Sequence, residues 1–129
     1  MNNERTFYLR EFKNGDFMLW SVCSQCWNTF TVTIRDENEV YAVIKKATHD
    51  TNLQKLSQDA KKYKGGDALR VEIVFDSEEV DIQESIVSGG VVDSHSNTIG
   101  YSYTYCLEDA HDEDFNDAYI SIIAWRKMG

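Results

Sequence analysis

Phe30-Thr31-Val32-Thr33-Ile34 alternates apolar and polar side chains, which puts Phe30, Val32 and Ile34 on one face of an extended chain and two threonines on the other. Leu69-Arg70-Val71-Glu72-Ile73 repeats the alternation with charges outward, and Tyr101-Ser102-Tyr103-Thr104-Tyr105 repeats it with tyrosines. Such period-two patterning predicts half-buried strands. Taken with the other β-prone runs, it predicts strands over 6–9, 16–22, 29–35, 40–45, 69–75, 82–88, 98–105 and 118–125. Clusters of Gly, Asn, Asp and Ser separate these runs, and such residues tolerate the positive φ of tight turns. Residues 50–60 break the pattern. They carry Leu53, Leu56 and Ala60 at helical spacing behind Asp50 or Thr51 as a cap, so a short helix or irregular excursion is expected, ending near Lys64 before a turn at Gly65-Gly66.

The chain has 129 residues, room for one domain spanning 1–129 that can bury about two thirds of its unfolded surface. With 42% hydrophobic and 12% aromatic residues it can build a core, which excludes disorder. The fold class that follows is all-β: an antiparallel β-sandwich of about eight or nine strands with Greek-key connections. No apolar stretch reaches the roughly 18 residues of a spanning helix, and the opening MNNERTFYLR lacks the apolar run of a signal peptide. Neither membrane insertion nor Sec-type export is expected. Thirteen Lys plus Arg against 22 Asp plus Glu give a formal net charge of -9, which repels a phosphate backbone and argues against nucleic acid as a partner. Three cysteines do not make a secreted disulfide framework. The expected setting is therefore cytoplasmic, or release without a Sec signal to act at cell surfaces.

The negative charge is concentrated at 108–117, which holds six acids in ten residues. Carboxylates crowded to about 4 Å repel one another unless a cation neutralises them, and Ca²⁺, which takes six to eight oxygen ligands, suits that demand. Asp112-x-Asp114-x-Asn116-Asp117 opens like an EF-hand loop, but the sixth position is Asp117 instead of glycine and the twelfth is Ile123 instead of glutamate. The loop runs directly into the apolar stretch from Ala118 to Trp125, so a metal would sit at a strand end. A solvated acidic turn is the open alternative.

The whole C-terminal segment, in which Glu108, Asp112, Asp114, Asn116 and Asp117 precede a strand, Trp125 and a terminal Gly129, resembles the calcium-mediated bacterial lectins that bind fucose and mannose, the fucose-binding lectin II type. The likeness extends less specifically over 6–9, 17–22 and 29–34, which parallel that family's opening strands, and loosens from about 40 to 96. It implies two Ca²⁺ ions per subunit and no catalysis. Glu108, Asp112, Asp114 and Asp117 look like ligands of one ion. Asp114, Asn116, Asp117, the backbone carbonyl of Cys23 and the carboxylate of Gly129 of the partner subunit resemble the set around the other. Sugar hydroxyls would complete both shells, so Asp112, Asp114, Asn116, Asp117 and Gly129 are implied in sugar binding too. The family's specificity loop falls on Ser24-Gln25-Cys26, where a serine at the first position resembles fucose-preferring members. Cys23, Cys26 and Trp27 depart from the small polar residues usual there. The implied partners are fucose- or mannose-containing glycans, and the implied assembly is a homodimer or homotetramer.

Other motifs have plainer readings. Cys23-x-x-Cys26 lacks the two further ligands of a zinc site and the βαβ setting of a redox pair, so two ordinary thiols are expected, with a reversible disulfide as the alternative. Cys106 reads as a packed small residue and His111 as an exposed loop position. Trp20 and Trp125 read as core or interface, and Trp27 as the tryptophan placed for sugar contact. Two rival functions stay open: a calcium-stabilised adhesion or assembly module without monosaccharide binding, and a glycoside hydrolase using paired carboxylates. The second is disfavoured because metal-saturated carboxylates cannot donate protons.

Overall fold

The computed structural model describes residues 2–109 and 117–126. Among them, nine strands run in order β1 (Glu4–Tyr8), β2 (Phe17–Ser24), β3 (Phe30–Arg35), β4 (Val40–Lys46), β5 (Gln54–Lys62), β6 (Arg70–Phe75), β7 (Gln83–Val92), β8 (Thr98–Glu108) and β9 (Ala118–Trp125). They form a four-stranded sheet ordered β1-β6-β3-β4 and a five-stranded sheet ordered β5-β2-β9-β8-β7, every pairing antiparallel. This is the expected β-sandwich.

The alternation read from the sequence decides which faces meet. On β3, Phe30, Val32 and Ile34 are buried while Thr31 and Thr33 stay partly exposed, and β6 presents Val71, Ile73 and Phe75 beside them. From the other sheet come Met18, Trp20 and Val22 of β2, Tyr105 and Leu107 of β8, and Ile120 and Ile122 of β9. Tyr105 stacks on Phe7 across the sandwich with ring centroids 4.3 Å apart, and burial pushes its hydroxyl pKa up. Trp20 is a core residue whose Nε1 donates to Ser57 Oγ at 3.3 Å, while Trp125 is partly exposed and lies against Phe17.

The helix expected within 50–60 is corrected to a strand. β5 pairs with β2 from Phe17↔Lys62 to Ser24↔Gln54. Here the helical spacing of Leu53, Leu56 and Ala60 is incidental: Leu53 and Ala60 are exposed, and Leu56 packs on the core where the register shifts opposite Val22/Cys23. The open edge of β2 supplies backbone hydrogen-bond partners along the length of β5. Lys55, Lys61 and Lys62 then charge the outer edge of the sheet, which discourages further strand pairing.

A second fixed point lies between β3 and β4. Asp36 is fully buried, and its carboxylate accepts hydrogen bonds from the amides of Asn38 and Glu39, both at 2.7 Å, from the Tyr41 hydroxyl at 2.7 Å, and from the Gly66 amide. A Cβ at residue 66 would collide with that carboxylate, so glycine is required by close approach, while the adjoining Gly65 takes φ +82°. Desolvation pushes the Asp36 pKa upward, but the four donors outweigh it and hold the group below its ordinary 3.8. A carboxyl depressed in the folded state contributes stability above its unfolded pKa and loses it as pH falls through the folded one. Asp36→Asn should therefore lower the melting temperature at pH 7 and flatten its decline as pH falls below the ordinary aspartate value of 3.8. An unchanged acid limb in scanning calorimetry would contradict this assignment.

Candidate functional site

The β2–β3, β6–β7 and β8–β9 connections converge at one end of the sandwich, and the β4–β5 connection joins them through His49. Asp76 N donates to Thr29 O at 3.1 Å, Asp81 N to Asp109 O at 3.4 Å, and His49 Nδ1 lies 2.9 Å from Trp27 O. The acidic segment enters and leaves the five-stranded sheet here, because Leu107 of β8 pairs with Ala118 of β9. The β2–β9 pairing then places Ser24 opposite Ala118 and Cys23 opposite Tyr119, so the end of β2 abuts the loop's exit.

Hydrogen bonds close the root of the acidic loop. Asp117 N donates to Leu107 O at 3.0 Å, and Asp109 N donates to an Asp117 carboxylate oxygen at 2.8 Å. Ser24 Oγ donates to Asp117 O at 2.5 Å, and Asn28 Nδ2 donates to an Asp109 carboxylate oxygen at 2.7 Å. Within the β2–β3 connection, Cys26 N donates to Ser24 Oγ at 3.3 Å and Cys26 Sγ lies 3.4 Å from Asn28 O. Both ends of the acidic loop are thus tied to one short loop.

The carboxylates at this root are not solvated. Glu108 is 0% exposed and Asp117 5% exposed. An ionised carboxylate is held in such a place only by hydrogen bonds or positive charge. The same region contains the buried Lys46, whose Nζ donates to Thr48 O at 2.6 Å and whose charge reaches Cys26 together with those of Asp109 and Asp117. Burial raises the Cys26 thiol to about 11, opposed by its Ser24 hydrogen bond and by Lys46 and reinforced by the two aspartates. A thiol this basic is neither a thiolate nucleophile nor a ready metal ligand at neutral pH.

Of the residues singled out in sequence, Glu108, Asp117, Cys23, Ser24, Gln25 and Cys26 come together here. Asp112, Asp114, Asn116 and Gly129, with His111, lie outside the described residues. Ser24 is 1% exposed and turned inward, as is Cys26, whereas Gln25 and Trp27 face outward. Cys23, Cys26 and Cys106 are free thiols. Among the described residues no group of three or more His, Cys, Asp or Glu side chains is arranged to hold a metal. The donors at the root are nonetheless hard oxygen groups, two buried carboxylates beside backbone carbonyls, and that chemistry fits Ca²⁺ and not a soft, thiolate-seeking ion. Asn28 and Lys46 escaped the sequence reading: neither belongs to a motif, and only pairing between distant strands brings them to the acids.

At the level of sequence, neither protein-family models nor curated proteins give a match. Solved structures do. The fold is similar to a high-affinity mannose-binding lectin of Ralstonia solanacearum, with TM-score 0.63 and 16% identity over 92% of this chain and 95% of that one. It is also similar to the Chromobacterium violaceum lectin CV2L, solved in complex with alpha-methyl-fucoside, with TM-score 0.60 and 18% identity over 100% and 99% of the two chains. A third likeness is to the C-terminal domain of the lectin BC2L-C from Burkholderia cenocepacia, with TM-score 0.62 and 20% identity over 98% and 99%. These three bacterial lectins therefore share this fold over 92% or more of the chain.

Ser24→Ala should cost about 1–3 kcal/mol of unfolding free energy, because it strips a buried hydrogen bond from the Asp117 carbonyl, while Gln25→Ala on the outer face should stay within about 0.5 kcal/mol. Equal losses in urea unfolding would show that Ser24 is not a brace.

Proposed function

We propose that this protein is a calcium-dependent lectin that binds fucose- or mannose-type sugars and performs no catalysis. The observation that carries the reading is the pair of buried carboxylates, Glu108 and Asp117, at the root of a segment with six acids in ten residues, on a sandwich similar to those of bacterial lectins. Glu108, Asp112, Asp114 and Asp117 are assigned to one ion. Asp114, Asn116, Asp117 and the Cys23 carbonyl are assigned to a second, together with Gly129 of the partner subunit. Bound Ca²⁺ would neutralise the acids and offer open coordination positions to vicinal sugar hydroxyls.

The chain's own residues then do three things. Ser24 and Asn28 hold the two ends of the loop at fixed separation, which lowers the ordering cost of binding. The carboxylates provide acceptors for sugar hydroxyls not spent on metal. Of the Ser24-Gln25-Cys26 stretch, the outward Gln25 is assigned to read the sugar's substituents, while the buried Ser24 and Cys26 set its backbone from within. L-fucose is assigned ahead of D-mannose, and the working unit is a dimer or tetramer.

Glycan-array binding with and without EDTA tests the function. The expected result is binding to fucosylated or mannosylated glycans that EDTA abolishes. Calcium-dependent stability without any glycan binding would replace the lectin with a calcium-stabilised adhesion or assembly module. Calcium at about 100 times its dissociation constant should add roughly 2.7 kcal/mol of stability, and equal melting temperatures in EDTA and in millimolar Ca²⁺ would sink the metal assignment. Asp114→Ala should abolish sugar binding where Glu113→Ala leaves it nearly intact, since Asp114 is assigned to both ions and Glu113 to neither. Similar losses in calorimetric titration would put the ligand register in error.

A further inference from the structure

Trp27 is the outlier of the site. A tryptophan exposing 59% of its surface stands against the hydrophobic effect, which would ordinarily draw so large an apolar ring into the core. It is also held. Its indole stacks on His49 with centroids 5.0 Å apart and planes 28° from parallel, and His49 Nδ1 lies 2.9 Å from the Trp27 carbonyl. The residues on either side are fixed from below: Cys26 through Ser24 Oγ, and Asn28 through Asp109. The loop carrying His49 is fastened as well, since Lys46 Nζ donates to Thr48 O at 2.6 Å and Gln54 Nε2 to Thr48 Oγ1 at 3.0 Å. Two anchored loops thus present one aromatic face to solvent.

We propose that Trp27, backed by His49, is a second sugar subsite, stacking on the pyranose ring that adjoins the sugar held at the acidic loop. The proposal rests on the lectin reading and deepens it from a monosaccharide site to one that prefers oligosaccharides. The chemistry is that of a flat aromatic surface. One face of many pyranose rings presents a patch of axial C–H groups, and these pack against an electron-rich indole face while the hydroxyls point to water. Position makes the subsite an adjunct to the first: Trp27 lies between two residues, Cys26 and Asn28, that hydrogen bonds tie to opposite ends of the acidic loop through Ser24–Asp117 and Asn28–Asp109. A sugar at that loop would therefore have Trp27 at its flank, where a neighbouring residue of the glycan extends. Because ring and loop are already ordered, little entropy is lost on contact.

Isothermal titration in millimolar Ca²⁺ tests this with α-methyl-fucoside and α-methyl-mannoside set against a panel of linear and branched fucosyl and mannosyl trisaccharides. In the wild-type protein at least one trisaccharide should bind about two- to tenfold tighter than its monosaccharide. Trp27→Ala should erase that gain, lowering trisaccharide affinity by more than monosaccharide affinity, and Trp27→Phe should restore part of the difference. His49→Ala, which removes the backing ring, should give a smaller loss of the same kind. Matching melting temperatures in Ca²⁺ show that the variants are folded. Three results overturn the subsite and leave the lectin standing: no trisaccharide gain in the wild type, a gain that survives Trp27→Ala, or equal losses for both ligand classes, which would place Trp27 in the primary site. Failure of the wild-type protein to bind any probe overturns the lectin reading, and the subsite with it.

Discussion

Glu108 and Asp117 are carboxylates taken out of water at the base of a loop that already concentrates like charge, and the arrangement of this end of the molecule follows from that burden. Anions in such a place need fixed dipoles or positive charge close by. Part of the need is met within the chain: the Asp109 amide points at Asp117, and Lys46 lies buried in the same region. In the function proposed above, the crowding of acids would create affinity for calcium, and bound calcium would create affinity for sugar.

The sandwich makes the gathering possible. β8 and β9 are neighbours in one sheet, so the loop between them must begin and end within a single strand spacing, and β2 beside β9 brings the β2–β3 connection to its exit. Ser24 and Asn28 use that proximity. Each spends a small polar group on one end of the acidic loop, so the loop's root is defined by the sheet and not by the loop's own conformation. The same short connection carries Trp27 outward. One loop thus braces from its inner face and offers a surface from its outer one.

Much of the fold was legible because its signal is local. The alternation in 30–34 survives intact as buried Phe30, Val32 and Ile34, and the tyrosine ladder of 101–105 survives as a strand with Tyr105 in the core. β5 was not legible. It has a neighbour on one side only and buries little on either face, so it carries no period-two signal, and its chance spacing of leucines imitates a helix. What makes it a strand is the hydrogen-bonding edge of β2, more than thirty residues away in the chain, as in the pairing Trp20↔Asp59. The candidate site divides the same way. Its acids announce themselves by composition, although Asp112, Asp114 and Asn116 lie outside the described residues. The inward turn of Ser24, the bond from Asn28 to Asp109 and the stacking of Trp27 on His49 depend on contacts between distant segments, to which a residue pattern is blind.

The central claim is that calcium and sugar share one site. Calorimetric titration of calcium into metal-free protein, alone and with saturating fucose or mannose, measures that linkage directly. The account predicts two ions per chain, with calcium affinity raised by sugar as the shared coordination requires. Binding of no calcium, or calcium affinity indifferent to a sugar that binds, would contradict it.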